Sequence, residues 1–100
     1  MIDCVRHDKS IVVTPETISD WTASSFGSLK KEDFDGLAAL GADIVLLGTG
    51  PRQRFPHPSL TASLAEARVG LEVMDAKAAC RTYNILVAEE RKVALALLFE

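Results

Sequence analysis

The feature that most restricts how this chain can fold is an alternation of helical patterns and short apolar runs. From residue 31 onward the predicted order is helix 31–40, strand 43–47, helix 59–68, strand 70–74, helix 76–88 and strand 92–99. Such an alternation is typical of a sheet built from parallel βαβ units. The run at 43–47 is apolar throughout, as expected for a strand that is covered on both faces. With 70–74 it predicts one right-handed parallel unit.

The first thirty residues follow a different pattern. Residues 10–14 contain three consecutive β-branched residues, and residues 17–21 alternate after a Pro-Glu turn. This arrangement predicts an antiparallel hairpin, which would make the sheet mixed. Residues 1–9 are predicted to be poorly ordered or a partial edge strand. The chain is therefore predicted to be a single α/β domain spanning residues 1–100.

Composition excludes several classes of function. The net charge is −3, from 11 basic and 14 acidic residues, which argues against a nucleic-acid binder. The longest apolar run, 93–99, is too short to cross a bilayer, so no membrane insertion is expected. Two widely separated cysteines without a secretory signal indicate a reducing compartment, and we predict a cytoplasmic protein. Because the sequence has no C-x-x-C and only two isolated histidines, we expect neither a metal nor a cofactor.

A glycine-containing, cationic loop follows the strand at 43–47. In open α/β sheets ligands gather beyond the carboxyl ends of the strands. The loop should therefore meet the turn at Met74-Asp75 and the start of the next helix, forming a rim of residues 48–55 and 74–81. The candidate ligand-binding residues are Gly48, Thr49, Gly50, Arg52, Gln53, Arg54, Phe55, Asp75 and Arg81.

Two interpretations of this rim stay open. Glycine amides, guanidinium groups and a helix N-terminus together suit a small anion. However, the loop lacks the third glycine of a dinucleotide fingerprint and the lysine of a P-loop. In the alternative, the glycines only permit a tight turn and the arginines pair with carboxylates such as Asp75 or Glu72.

The remaining reactive residue types predict structural roles. Cys80 lies on the apolar seam of its helix, where a cysteine usually behaves as a small buried hydrophobe, although a redox-sensing thiol is a further hypothesis. Tyr83 is expected to be packed rather than to act as a general acid. Trp21 and Phe26 are expected to anchor the core or an interface. With no nucleophile elbow and no complete catalytic set, the sequence favours a non-catalytic protein.

Several stretches together resemble a known family. They are Val45-Leu46-Leu47-Gly48-Thr49-Gly50, Arg52-Gln53-Arg54-Phe55-Pro56, Gly70-Leu71-Glu72-Val73-Met74-Asp75 and Ala78-Ala79-Cys80-Arg81-Thr82-Tyr83-Asn84-Ile85-Leu86. The family consists of small bacterial and archaeal α/β domains of unknown function, and its mitochondrial relatives include an assembly factor of respiratory complex I. The similarity runs from about residue 21 to 99, whereas the first nine residues match poorly and family members usually begin with a longer segment.

The resemblance implies a three-layer α/β fold around a central mixed sheet. It also implies a non-catalytic binding or assembly role with protein partners, extending to the assembly of a respiratory complex. The alternative function is a small-molecule or anion site, enzymatic or not, at the rim of residues 48–55 and 74–81. A homodimer through an open sheet edge is a further expectation.

Overall fold

The fold is a five-stranded sheet with helices on both faces. The structure is a computed structural model and describes residues 10–23 and 25–98. The predicted character of residues 1–9 therefore lies outside the described residues. The elements are β1 (Ile11–Val13), β2 (Ile18–Asp20), a short 3-10 turn (Phe26–Ser28), α1 (Lys31–Ala38), β3 (Ile44–Gly48), α2 (Ala62–Glu66), β4 (Gly70–Met74), α3 (Ala76–Ala88) and β5 (Val93–Leu97).

The sheet has the strand order β2-β1-β5-β3-β4. β1 is antiparallel to both β2 and β5, whereas β3 is parallel to both β4 and β5. The predicted mixed sheet, its βαβ units and its N-terminal hairpin are therefore confirmed. The pairing of Gly48 with Met74 brings the carboxyl ends of β3 and β4 side by side.

The helices divide between the two faces, which gives the three layers that the resemblance implied. Phe34 and Leu37 of α1 and Leu64 of α2 pack on one face, while Ala79 and Tyr83 of α3 pack on the other. The chain moves from β3 outward to β4 and then back across β3 to β5. Right-handed crossovers that run in opposite directions place their helices on opposite faces.

Trp21 anchors the layer of α1 and α2. Its ring meets Phe34 edge to face with centroids 6.0 Å apart, and its indole N–H donates to the Asp33 carbonyl at 3.4 Å. The Asp33 carboxylate in turn accepts from the backbone N–H of Lys30 at 2.9 Å, at the start of α1. This single tryptophan is therefore a core residue that ties the chain after the hairpin to α1.

The second helix is shorter than the predicted 59–68, and Ser59, at which it was predicted to begin, does not cap it. α2 spans Ala62–Glu66 with Thr61 at the N-cap. The Ser59 backbone N–H donates to His57 Nδ1 at 3.1 Å, and the Ser59 hydroxyl lies 2.8 Å from the same nitrogen. Because these side chains bond each other, residues 57–61 form turns and the helix begins one turn later.

The other boundaries differ from the predicted ones only at the ends of elements. α1 ends at Ala38 rather than at residue 40, before Gly41 with a φ of 78°. α3 has the predicted bounds, with Asp75 as its N-cap. Differences of one or two residues are usual at helix and strand ends.

Cys80 is buried, as predicted, but it carries no free thiol. Its side chain is 6% exposed and is disulfide-bonded. Cys4, the other cysteine of the sequence, lies outside the described residues. The argument for a reducing compartment assumed unpaired cysteines and therefore loses its support.

Candidate functional site

The loop after β3 is fastened directly to the start of α3. We call residues 49–55 the rim loop. The Thr49 N–H donates to the Met74 carbonyl at 3.0 Å, and the Ala76 N–H donates to the Gly50 carbonyl at 2.8 Å. These two bonds join the rim loop to the end of β4 and to the first turn of α3.

Gly48 permits this close approach because it has no side chain. A Cβ at this position would lie 2.6 Å from Leu97 Cδ2, 3.1 Å from Ala76 Cα and 3.2 Å from Ala79 Cβ. The second of these atoms is backbone and cannot rotate away. A glycine here lets α3 begin directly above β3.

Thr49 holds the rim loop in one conformation. Its side chain is fully buried, and its hydroxyl donates to the Arg52 carbonyl at 2.7 Å. The same oxygen accepts the Arg54 N–H at 3.0 Å. Gly50 between them has a φ of 85°, a conformation that glycine adopts without strain. One buried hydroxyl thus closes the turn that carries both arginines.

Backbone N–H groups at the N-terminus of α3 already donate hydrogen bonds to other groups of the protein. The Asp75 carboxylate accepts the Ala78 N–H at 2.9 Å, and the Gly50 carbonyl accepts the Ala76 N–H. The Asp75 carboxylate therefore lies where a bound anion would accept hydrogen bonds from the amides of the first helical turn. An anion at this helix end would have to displace Asp75.

The two arginines of the rim loop lie in different surroundings. The Arg54 guanidinium lies over the Phe26 ring, with Cζ 4.6 Å from the ring centroid, in a cation–π geometry. Arg52 is exposed, and within the described ranges 10–23 and 25–98 no salt bridge joins it to Asp75 or Glu72. Arg52 is therefore presented to solvent.

Gln53 and Phe55 face the outer edge of the sheet and the solvent. The Gln53 side-chain amide donates to the Val73 carbonyl at 2.8 Å, and β4 is the outermost strand at this end of the described sheet. Phe55 is 70% exposed, the largest value among the exposed large hydrophobic side chains. The rim loop thus bonds β4 on one side and presents an aromatic ring on the other.

The structure brings most of the predicted residues together, but not all. Contacts link Thr49, Gly50, Arg52 and Arg54 with one another or with the ends of β4 and α3. Arg81 is exposed on α3 and belongs to none of these contacts. Helical spacing places it on the side of Asn84, which faces the β1–β2 hairpin. Sequence reasoning missed Phe26 as the partner of Arg54, since no local spacing links the two.

Two clefts flank the hairpin turn at the opposite edge of the sheet. One, of about 310 Å³, lies between residues 13–18 and α3 and is lined by Tyr83. The other, of about 360 Å³, lies between the turn and residues 40–42 and 91–93. Burial raises the pKa of the Tyr83 hydroxyl, and the negative charge of Glu16 raises it further.

Residues 10–23 and 25–98 lack two kinds of feature. This part of the chain holds no group of three or more His, Cys, Asp or Glu side chains that could bind a metal ion. None of its helices has the length and apolarity needed to cross a membrane.

Comparison with known proteins places these features in a family. The model of a family described as "Protein of unknown function (DUF498/DUF598)" matches residues 1–98. The match begins at residue 1, so the similarity extends further toward the N-terminus than the expected start near residue 21. The rim loop and the whole described sheet lie inside the matched region.

Two curated relatives and one solved structure illustrate the similarity. The "13 kDa major membrane protein" of Francisella tularensis is 37% identical over 67 residues, 67% of this chain and 54% of that protein. The "NADH dehydrogenase [ubiquinone] 1 alpha subcomplex assembly factor 3" of Xenopus tropicalis is 32% identical over 99 residues, 94% of this chain and 54% of that protein. A crystal structure of a Bordetella parapertussis protein shares 37% identity, with a TM-score of 0.88 over 96% of this chain and 83% of that one. The chain thus spans about half the length of these two curated relatives.

Proposed function

The chain belongs to the family described as proteins of unknown function (DUF498/DUF598), and from this premise we propose that it is a non-catalytic protein-binding module that serves in respiratory-complex assembly. The name of the Xenopus tropicalis relative supports an assembly role. We propose the rim loop as the surface that contacts the partner. The assembly role named for this longer relative is assigned to this chain only as part of the proposal.

The exposure of Phe55 on a fixed loop is the observation that carries the proposal. The ring is 70% exposed, and exposed Arg52 lies three residues before it. Aromatic and arginine side chains are enriched at the energetic centres of protein interfaces. Because the bonds of Thr49 and Gln53 already fix the loop, binding would cost little additional ordering of the backbone.

The anion-binding alternative has weaker support from the same contacts. The Asp75 carboxylate and the Gly50 carbonyl already occupy two amides of the first turn of α3. The clefts beside the hairpin turn lie at the other edge of the sheet, and a third, of about 540 Å³, is lined by residues of the Phe26–Ser28 turn and α1 rather than by the rim loop. A protein surface that uses Phe55 requires no rearrangement of these groups.

The cytoplasm is the compartment that we propose from the sequence, although the disulfide of Cys80 favours an oxidising compartment. Disulfides persist mainly in oxidising compartments, and this cysteine is disulfide-bonded. The name of the Francisella relative also points to a membrane association for that protein. Alkylation in intact cells, before and after reduction, decides the question. If Cys80 is alkylated when the cells are lysed in denaturant without a reductant, the cytoplasm is supported. If Cys80 is alkylated only after reduction, the cytoplasm is contradicted.

Site-specific photocrosslinking in the source cells tests the proposed contact surface. Phe55 is replaced by a photoreactive phenylalanine analogue, and the same analogue at Ile85 serves as the matched control, because Ile85 is 59% exposed on α3. We expect a discrete adduct with one protein from position 55 and none from position 85. Equal adducts from both positions, or no adduct from position 55, would refute the rim loop as the contact surface.

A further inference from the structure

The outer edge of β4 carries backbone groups that no described residue binds. Gly70 donates to the Asp43 carbonyl and Met74 accepts from Thr49, so the backbone groups of these two residues point toward β3. The backbone groups of successive residues in a strand alternate in direction, so the N–H and C=O groups of Leu71 and Val73 point away from β3 toward the open edge. Gln53 takes the Val73 carbonyl. Among the described residues, no hydrogen bond is made to the Leu71 N–H, the Leu71 carbonyl or the Val73 N–H.

The charges along this edge follow a simple order. Glu72 is exposed at the middle of β4. Arg68 is exposed two residues before the strand begins, and Arg52 is exposed beside Gln53, whose side chain reaches the strand near its end. Along the strand Glu72 is thus preceded by the positive charge of Arg68, and the carboxylate of Asp75 follows the strand.

This order disfavours pairing of the edge with a second copy of the chain. A symmetric antiparallel pair centred on Leu71 would form only two hydrogen bonds, those of Leu71 itself, because the Val69 N–H already donates to the Leu64 carbonyl. A symmetric pair centred on Glu72 would place Leu71 opposite Val73 of the other copy. Glu72 would then face the other Glu72, in a pair whose Cα atoms lie only about 4.5 Å apart. Like charges directly opposite each other destabilise a strand pair, so the edge is better suited to a different sequence.

We infer that β4 accepts an extended segment of another protein as an additional antiparallel strand. This segment carries a basic residue opposite Glu72 and an acidic residue four positions later, near Arg68. Strand addition of this kind obtains affinity from main-chain hydrogen bonds and specificity from alternate side chains. The inference deepens the proposed function and rests on it, because it states how the partner is bound.

Two synthetic peptides of about seven residues, close to a typical strand length, provide the probe. One has a lysine at the third position between two β-branched residues and an acidic residue at the seventh position, and the other has the charges reversed. Binding is followed by amide exchange at Leu71 and Val73 and by titration calorimetry. The first peptide should protect both amides and bind wild-type protein about tenfold more tightly than the second. Glu72→Lys should reverse this preference between the peptides, which a merely destabilised variant would not do.

The outcomes separate this inference from the proposed function. Absence of protection at Leu71 and Val73 with either peptide, or an unchanged preference in Glu72→Lys, overturns strand addition. If protection of the Leu71 and Val73 amides rises with protein concentration in the absence of peptide, strand addition is also overturned. Such protection would show that the edge pairs with a second copy of the chain. If crosslinking from position 55 succeeds while strand addition fails, the proposed function stands without this mode of binding. If crosslinking fails as well, both are wrong.

Discussion

Gly48→Ala places a methyl group at the point where β3 passes beneath the first turn of α3. The new Cβ would lie 2.6 Å from Leu97 Cδ2 and 3.1 Å from Ala76 Cα, whereas carbon atoms normally approach to about 3.5–4.0 Å. Leu97 can rotate in part, but the Ala76 backbone can only shift with the helix. Overpacking of this kind typically costs about 1–3 kcal/mol of the free energy of unfolding. For a domain of this size a loss of 2 kcal/mol lowers Tm by roughly 8–16 °C.

Denaturant unfolding followed by the fluorescence of Trp21 measures this loss, because Trp21 is the only tryptophan and is buried against Phe34. Gly36→Ala is the matched control. No atom lies within 4 Å of its added Cβ, and alanine is favoured over glycine in a helix by about 1 kcal/mol. The control should therefore be neutral or stabilised. A free energy of unfolding for Gly48→Ala equal to that of wild type would refute the close approach of α3 to β3.

The remaining predictions concern the rim loop and the opposite edge of the sheet. Thr49→Val removes the hydroxyl that binds the Arg52 carbonyl and the Arg54 N–H; a loss of about 1–3 kcal/mol in the free energy of unfolding is expected, and a loss below the error of denaturant titration would contradict it. Tyr83 is the only tyrosine, so a spectroscopic phenol titration should show a pKa above the ordinary value, because burial and then Glu16 disfavour the phenolate. The stability from this raised pKa is fully present below about pH 10 and is lost as the pH rises through the folded-state pKa. Glu16→Gln should lower the pKa of Tyr83 without restoring the ordinary value, whereas an unchanged titration would refute the contribution of Glu16. Inorganic phosphate should leave Tm unchanged in both wild type and Arg52→Ala, since Asp75 and Gly50 occupy amides of the first turn of α3; a rise that Arg52→Ala abolishes would instead support the anion site.

The sheet and its layers could be predicted because their signals are local. Each strand of the second half is a compact apolar run and each helix has its own periodicity, so their alternation predicts parallel units. α3 is the clearest case, since Asp75 provides an N-cap and the apolar seam continues for thirteen residues. The location of the rim follows from the same alternation, because adjacent parallel strands end at the same edge.

The contacts within the rim could not be predicted because they join segments that are distant in sequence. Nothing in the spacing shows that Arg54 lies over Phe26 or that Gln53 binds the edge of β4. The second helix was predicted too long because Ser59 resembles an N-cap, while its actual bonds are made to His57. The disulfide of Cys80 likewise depends on a residue that no local pattern identifies.

The central claim is tested most directly with the partner that crosslinking from position 55 identifies. The measurement is the affinity of that partner for purified variants of this protein. Titration calorimetry compares wild type with Phe55→Ala and with Ile85→Ala, which removes a side chain of similar exposure from α3. If the rim loop is the contact surface, Phe55→Ala should weaken binding about thirtyfold, as for a residue that contributes about 2 kcal/mol. Ile85→Ala should remain close to wild type. Equal affinity of Phe55→Ala and wild type, or a larger loss in Ile85→Ala, would contradict the account.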